Sequence, residues 1–253
     1  MLRNALFLTL LLTLFNCKQE KKENIATESA EEIIAKSIEV AGGDVFKYSN
    51  ISFDFRDIHY KAHRKGGKFQ LERYLKDSVS QIKDVLNNDG FERYQRDVKV
   101  ELSDSLVSLY SASVNSVHYF SVLPYGLDGK AVHKEYLGTE AIKGKDYHKI
   151  KVTFSEDGGG EDYEDEFLYW IDKTSYHVDY LAYSYEELEG MGYRFREAYN
   201  DRVVNGLRFV DYNNYKSTQL DFNFEDIGLM FNKDELELLS KIELQNVVVE
   251  PLN

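Results

Sequence analysis

The stretch AEEIIAKSIEVAGGDVFKYSNISFDFR, residues 30–56, holds two hydrophobic periods in succession. Ala30, Ile33, Ile34, Ile38 and Ala41 fall on one face at helical spacing, and Gly42-Gly43 ends the run. Thr27 is the expected N-cap, with Glu31 close enough to favour the helix dipole. From Ile51 the period drops to two: Ile51, Phe53 and Phe55 alternate with Ser52, Asp54 and Arg56, predicting a strand that runs on to His63. A helix with one apolar stripe must cover an apolar surface, most simply one face of a sheet.

Working outward, the strand pattern dominates. Gly66-Gly67 turns the chain into Phe69–Leu75, Val79–Leu86 reads as a further strand, and Asn87-Asn88-Asp89-Gly90 turns it into Phe91–Val100. Residues 104–122 return to helical spacing through Leu106, Leu109, Tyr110, Val114, Val117 and Phe120, with Ser103 or Asp104 as N-cap and Pro124 beyond the end. Strands resume over 132–141, 146–155, 165–172, 176–186, 192–201, 206–217 and 238–250. The turns between them include Lys143-Gly144, Asp157 to Gly160, Asp172 to Ser175, Glu189-Gly190 and Asn205-Gly206. Strands joined by short turns are antiparallel. The expectation is an α+β fold: up to ten strands in one strongly curved antiparallel sheet, a half-barrel wrapped over two helices, with residues 25–253 as a single domain.

The N-terminus carries a different signal. Arg3 precedes the apolar run Ala5–Phe15, which is interrupted only by Thr9 and Thr13. Crossing a bilayer as a helix takes about 20 apolar residues, so residues 1–16 read as an export signal. The single cysteine, Cys17, stands where the run stops. It can form no internal disulfide, and Leu14-Phe15-Asn16-Cys17 resembles a bacterial lipobox, with bulkier residues than usual at Phe15 and Asn16. The reading is acylation of Cys17, residues 18–24 serving as a polar tether, and a folded part held outside the cytoplasm on a membrane. The plainer alternative is a secreted protein with an incidental cysteine.

Composition excludes one class of partner. With 31 Lys+Arg against 44 Asp+Glu and a formal net charge of −13, the chain lacks the basic footprint that nucleic acid requires. At 253 residues and 43% hydrophobic, it can bury a core without disulfides or metals.

Few constellations point to chemistry. His59 and His63 share a strand face, but Lys61, Arg64 and Lys65 surround them and no acidic third ligand sits at a telling distance, so a solvated strand end is favoured over a metal site. Residues 156–166 are acidic and glycine-containing without EF-hand spacing, which reads as a solvated hairpin loop. Arg194, Arg196, Arg202 and Arg208 lie in or near two paired strands, with Glu197, Asp201 and Asp211 close by. They form either a salt-bridged outer face or a set of cations at the mouth of a cavity, holding an anionic headgroup. There is no Gly-x-Ser-x-Gly and no His-Glu-x-x-His, and no cofactor is expected.

Ser113–Phe120 with Leu123-Pro124-Tyr125-Gly126-Leu127, then Tyr169-Trp170-Ile171, Val178–Tyr183, and Arg194–Ala198 with Asn200 and Arg202, resemble a family of Bacteroidota outer-membrane lipoproteins known as a domain of unknown function. The resemblance spans nearly all of the mature chain and assigns no catalytic residues. The layout is also similar, more loosely, to the LolA/LolB-type half-barrel, which implies a concave apolar face that receives acyl chains.

Three functions follow as expectations. The first is a tethered binder or carrier of a lipid or other amphipathic ligand, lined by Phe53, Phe55, Tyr119, Phe120, Trp170, Tyr180 and Tyr183, with Arg194 and Arg196 for a headgroup; core packing is the bland role for each. The second is a non-catalytic assembly partner of another envelope protein. The third is an envelope hydrolase or lyase using His118 or His177 as acid/base, with a carboxylate such as Asp179 to orient it.

Overall fold

The computed structural model describes residues 28–252 apart from 77–80, 159–162, 188–189 and 220. The expected export signal, Cys17, the tether and Thr27 lie outside the described residues, as does the centre of the acidic loop. The first helix, α1 (Ala30–Ala41), is capped by Ser29. The Ser29 hydroxyl accepts the Glu32 N–H, and the Glu32 carboxylate accepts the Ser29 N–H, so a reciprocal capping box takes the place expected for Thr27. The helix buries the expected stripe together with Ser37. Each buried isoleucine of that stripe contributes about 1.5–3 kcal/mol. Gly42, at φ +133°, closes the helix where a Cβ would come 2.6 Å from the Gly206 carbonyl oxygen.

A short 3-10 turn, Gly43–Lys47, leads into β1 (Tyr48–Phe55), β2 (Ile58–Lys65), β3 (Lys68–Lys76), β4 (Gln81–Asn87), β5 (Gly90–Gln95) and β6 (Val98–Val100). Then come α2 (Asp104–Ser121), β7 (Val132–Ile142), β8 (Lys145–Phe154), β9 (Phe167–Asp172), β10 (Val178–Glu187), β11 (Gly190–Val204) and β12 (Leu207–Ser217). A 3-10 turn, Phe224–Asp226, and α3 (Ile227–Asn232) precede β13 (Leu236–Ile242) and β14 (Leu244–Pro251). Ser103 occupies the N-cap position of α2, one of the two residues expected there.

The class is α+β and antiparallel, but the single sheet is corrected to two. One sheet runs β14-β1-β2-β3-β4-β5-β6 and the other β13-β12-β11-β10-β9-β8-β7. The expected strand 238–250 is broken at Glu243, where the chain leaves β12 and joins β1. Side chains take over from the ladder at that corner. The Leu244 N–H donates to Asp211 Oδ1 (2.9 Å), its carbonyl accepts from Arg202 Nη2 (2.8 Å), and Arg202 and Asp211 pair with each other at 3.1 Å. Both backbone groups of Leu244 are therefore satisfied where the chain changes sheets.

The other additions to the expected strand list have a local cause. The long strand to His63 is a hairpin turned at Arg56-Asp57, with Arg56 at φ +54°, and Phe91–Val100 is a hairpin turned at Arg96-Asp97, both at positive φ. Neither turn contains the Gly or Asn that usually marks such geometry. The helix α3 was also not expected, since six residues give too short a period to recognise.

α1 packs on the second sheet through Ile33, Ile34 and Ile38 against Ile150, Tyr169 and Ile171. Ala41 joins Phe46, Ile51, Phe53, Leu207 and Phe209 in a second cluster that bridges the two sheets. The opposite face of the second sheet is covered by α3, whose Ile227 and Phe231 pack with Leu168, Trp170, Tyr180 and Phe195. That is why β9 is buried at all six positions. α2 is held over the first sheet by a buried polar knot. Asp84 binds Arg73 (2.7 Å) and Arg93 (2.6 Å), and Arg73 continues to the Ser113 hydroxyl at 2.6 Å. Leu106 and Leu109, expected on the buried face of α2, project into solvent, while Tyr110 lies under the Arg93 guanidinium at 3.6 Å.

Candidate functional site

With α2 tied to one sheet, its C-terminal half overhangs the other and leaves a cleft of about 800 Å³. Val117, Tyr119 and Phe120 of α2 form one wall. Phe154, Phe167, Tyr183, Val210 and Tyr212 form the facing surface, and Phe55, Ile242 and Leu244 close the end near the sheet-changing corner. Glu164, Asp165, Glu186 and Arg56 also border it. The apolar side is an aromatic lattice, with Phe120 5.1 Å from Tyr183 and Phe167 5.6 Å from Tyr183 by ring centroid.

One cation lies within this lattice. Arg196 is 7% exposed, with its guanidinium 3.9 Å from the Phe120 ring centroid and 5.0 Å from that of Tyr183. Its Nη2 donates to the Tyr183 hydroxyl at 2.9 Å, and its Nε has no hydrogen-bond partner. Among the described residues no carboxylate pairs with it. Beside it, the Tyr119 and Tyr169 hydroxyls bond each other at 2.9 Å, and burial holds both phenols above their usual range, so both stay neutral.

Of the residues named from sequence, Phe55, Tyr119, Phe120, Tyr183 and Arg196 border the cleft, and Phe53, Trp170, Tyr180 and Arg194 do not. Phe53 is sealed in the core, stacked on Tyr60 and edge-on to His118. Trp170 and Tyr180 are register partners on the opposite face of the second sheet, under α3. Arg194 packs on Tyr185 (4.9 Å) and donates to the Tyr193 carbonyl. Arg202 and Arg208 belong to ion pairs, with Asp211 (3.1 Å) and Asp201 (2.7 Å). Sequence reasoning named Val117 only on the apolar stripe of α2 and passed over Val210, Tyr212, Asn214, Ile242 and Leu244, which border the cleft from strands it placed without assigning a facing direction.

The histidines are elsewhere. His118 is 1% exposed, and its Nε2 donates to the Glu72 carbonyl at 3.0 Å. Burial pushes its pKa down to about 3, so the ring is neutral. His177 lies 3.6 Å from Asp201, whereas Asp179, the carboxylate expected to orient it, binds Lys145 (3.1 Å) and Tyr147 (3.3 Å). Neither histidine borders the cleft. His59 and His63 each pair with a β1 side chain, Asp54 (2.5 Å) and Asn50 (2.7 Å), and among the described residues no cluster of three or more His, Cys, Asp or Glu is arranged to hold a metal.

The sequence matches the model of a family of unknown function, DUF6503, over residues 4–244. The chain belongs to that family. None of the curated proteins matches it. Among solved structures, this DUF6503 chain is similar to a LolA superfamily protein from Nitrosomonas europaea, at 11% identity and a TM-score of 0.48, over 90% of this chain and 94% of that one. It is also similar to a DUF1329 family protein from Desulfovibrio piger, at 9% identity and a TM-score of 0.48, over 88% and 93% of the two chains.

Proposed function

We propose that the protein is an envelope lipoprotein, exported by residues 1–16 and anchored through an acylated Cys17, whose folded part binds or carries a lipid or another amphipathic ligand. The observation that carries this reading is the cleft under α2. Its volume of about 800 Å³ falls within the roughly 300–1,000 Å³ of small-molecule sites, and it sets aromatic and aliphatic walls beside charged and polar side chains, the two surfaces that an amphipathic molecule presents. No helix among the described residues is long and apolar enough to cross a membrane. In this reading the acyl group on Cys17 supplies the attachment.

The test is titration of a soluble form, residues 18–253, with a fluorescent fatty-acid probe. Saturable uptake of one probe per chain is expected. Val117→Trp, which places an indole in the cleft, should abolish uptake while leaving the circular dichroism spectrum unchanged. Absence of uptake by the unaltered protein would remove the basis of the reading.

A further inference from the structure

Burying a charge without a counter-ion is costly, and proteins ordinarily avoid it by pairing. Arg73 and Arg93 share Asp84, Arg202 has Asp211 and Arg208 has Asp201. Arg64 also lacks a carboxylate partner among the described residues, but it packs beside Tyr125 and does not border the cleft. Among the described residues, Arg196 alone combines burial, an unpartnered guanidinium nitrogen and a place on the cleft.

Its neighbours complete a polar row. Arg196 on β11 stands opposite Asn214 on β12, and Asn214 stands opposite Ser240 on β13, all three bordering the cleft. Asn214 Nδ2 donates to the Ser240 hydroxyl (3.1 Å), and its buried Oδ1 has no partner. A hydroxyl both donates and accepts, so the Asn214 amide can turn over, keep its bond to Ser240 and place its NH2 where the unpartnered oxygen now lies. The Tyr183 hydroxyl accepts from Arg196, which leaves its own proton to donate. The floor thus offers a guanidinium fork and two further donors to one anion.

We infer that the ligand is an amphiphile with a single carboxylate, seated head-first on Arg196 with its tail along Val117, Phe154, Ile242 and Leu244. This deepens the binder reading and rests on it. A carboxylate matches the planar fork of an arginine. One buried cation neutralises one negative charge, and the Glu164 and Glu186 carboxylates at the border oppose a second.

The test compares dodecanoate, 1-dodecanol and dodecyl phosphate by calorimetric titration of residues 18–253 at pH 8, with acetate as the head alone. Dodecanoate is expected to bind at least tenfold more tightly than the alcohol or the phosphate, and acetate not to compete at millimolar concentration. Arg196→Gln should erase the preference of dodecanoate over the alcohol while still binding both, which shows that the variant folds. Equal binding of dodecanoate and dodecanol by the unaltered protein would overturn the headgroup assignment and leave the binder reading standing. Tighter binding of the phosphate would overturn the carboxylate. Competition by acetate alone would make the site a small-anion site, and binding of none of the amphiphiles would overturn both readings.

Discussion

Arg196 of β11 and Asn214 of β12 are directly opposed in the ladder, both 7% exposed, and each keeps one buried polar atom without a hydrogen-bond partner. A row of this kind does not stabilise an empty fold, because each unsatisfied atom forfeits roughly 1–3 kcal/mol of lost solvation. Arg196→Met should therefore leave the ligand-free protein as stable as before, or raise its stability by about 1 kcal/mol, since removing a buried unpaired charge offsets the lost stacking on Phe120. Urea denaturation of lipid-extracted protein measures this. A loss above about 2 kcal/mol would mean that Arg196 is there to hold the fold.

Asp84 is the opposite case. It is fully buried and neutralises Arg73 and Arg93 together, and through Arg73 it fixes α2 at Ser113. Asp84→Asn should cost about 3–5 kcal/mol, because two guanidinium groups lose their counter-ion. The loss should be visible as a lower urea midpoint.

His118 makes stability depend on pH in a stated direction. Its pKa falls from 6.5 in the unfolded chain to about 3 in the folded one. Below pH 6.5 the unfolded state therefore takes up a proton that the folded state refuses. Stability is fully present above pH 6.5 and drops by up to about 1.4 kcal/mol per pH unit as pH falls from there toward 3. His148 and His177, also lowered chiefly by burial, act in the same direction, so the measure is the difference between variants. Between pH 7 and 5, His118→Gln should lose less stability than the unaltered protein.

Gly42→Ala should destabilise by about 1–3 kcal/mol through crowding, with further strain from its φ of +133°. The added Cβ meets backbone at Gly206, which cannot swing aside. Thermal unfolding reports the change.

Cys17→Ser should move the protein from the membrane fraction to the soluble fraction and abolish incorporation of labelled palmitate. Retention on the membrane without Cys17 would contradict the anchor.

The helical stripe of α1 and the strands bounded by Gly66-Gly67, Lys143-Gly144 and Asn205-Gly206 were legible because Gly and Asn mark left-handed turns. Arg56-Asp57 and Arg96-Asp97 adopt similar geometry with residues that announce nothing, so two hairpins read as two long strands. The break at Glu243 was hidden for another reason: the pair that satisfies Leu244, Arg202 and Asp211, comes from more than 30 residues upstream. At the cleft, strand alternation sets Phe167, Tyr169 and Ile171 on one face and Leu168 and Trp170 on the other, whereas the expected lining drew Trp170 and Tyr180 from one face and Tyr183 from the opposite one. Alternation did not tell which face meets α2, because α3 buries the second face equally and gave no signal of its own. The four arginines looked alike in sequence. Only the fold separates Arg202 and Arg208, which have carboxylates, from Arg196, which has none among the described residues.

The central claim is that the cleft under α2 holds an amphipathic molecule. The most direct measurement is denaturing extraction and mass spectrometry of the protein purified, without detergent, from cells that export it. The account predicts about one acyl-bearing molecule per chain, lost in Val117→Trp. Protein that emerges empty and also refuses added dodecanoate would contradict it.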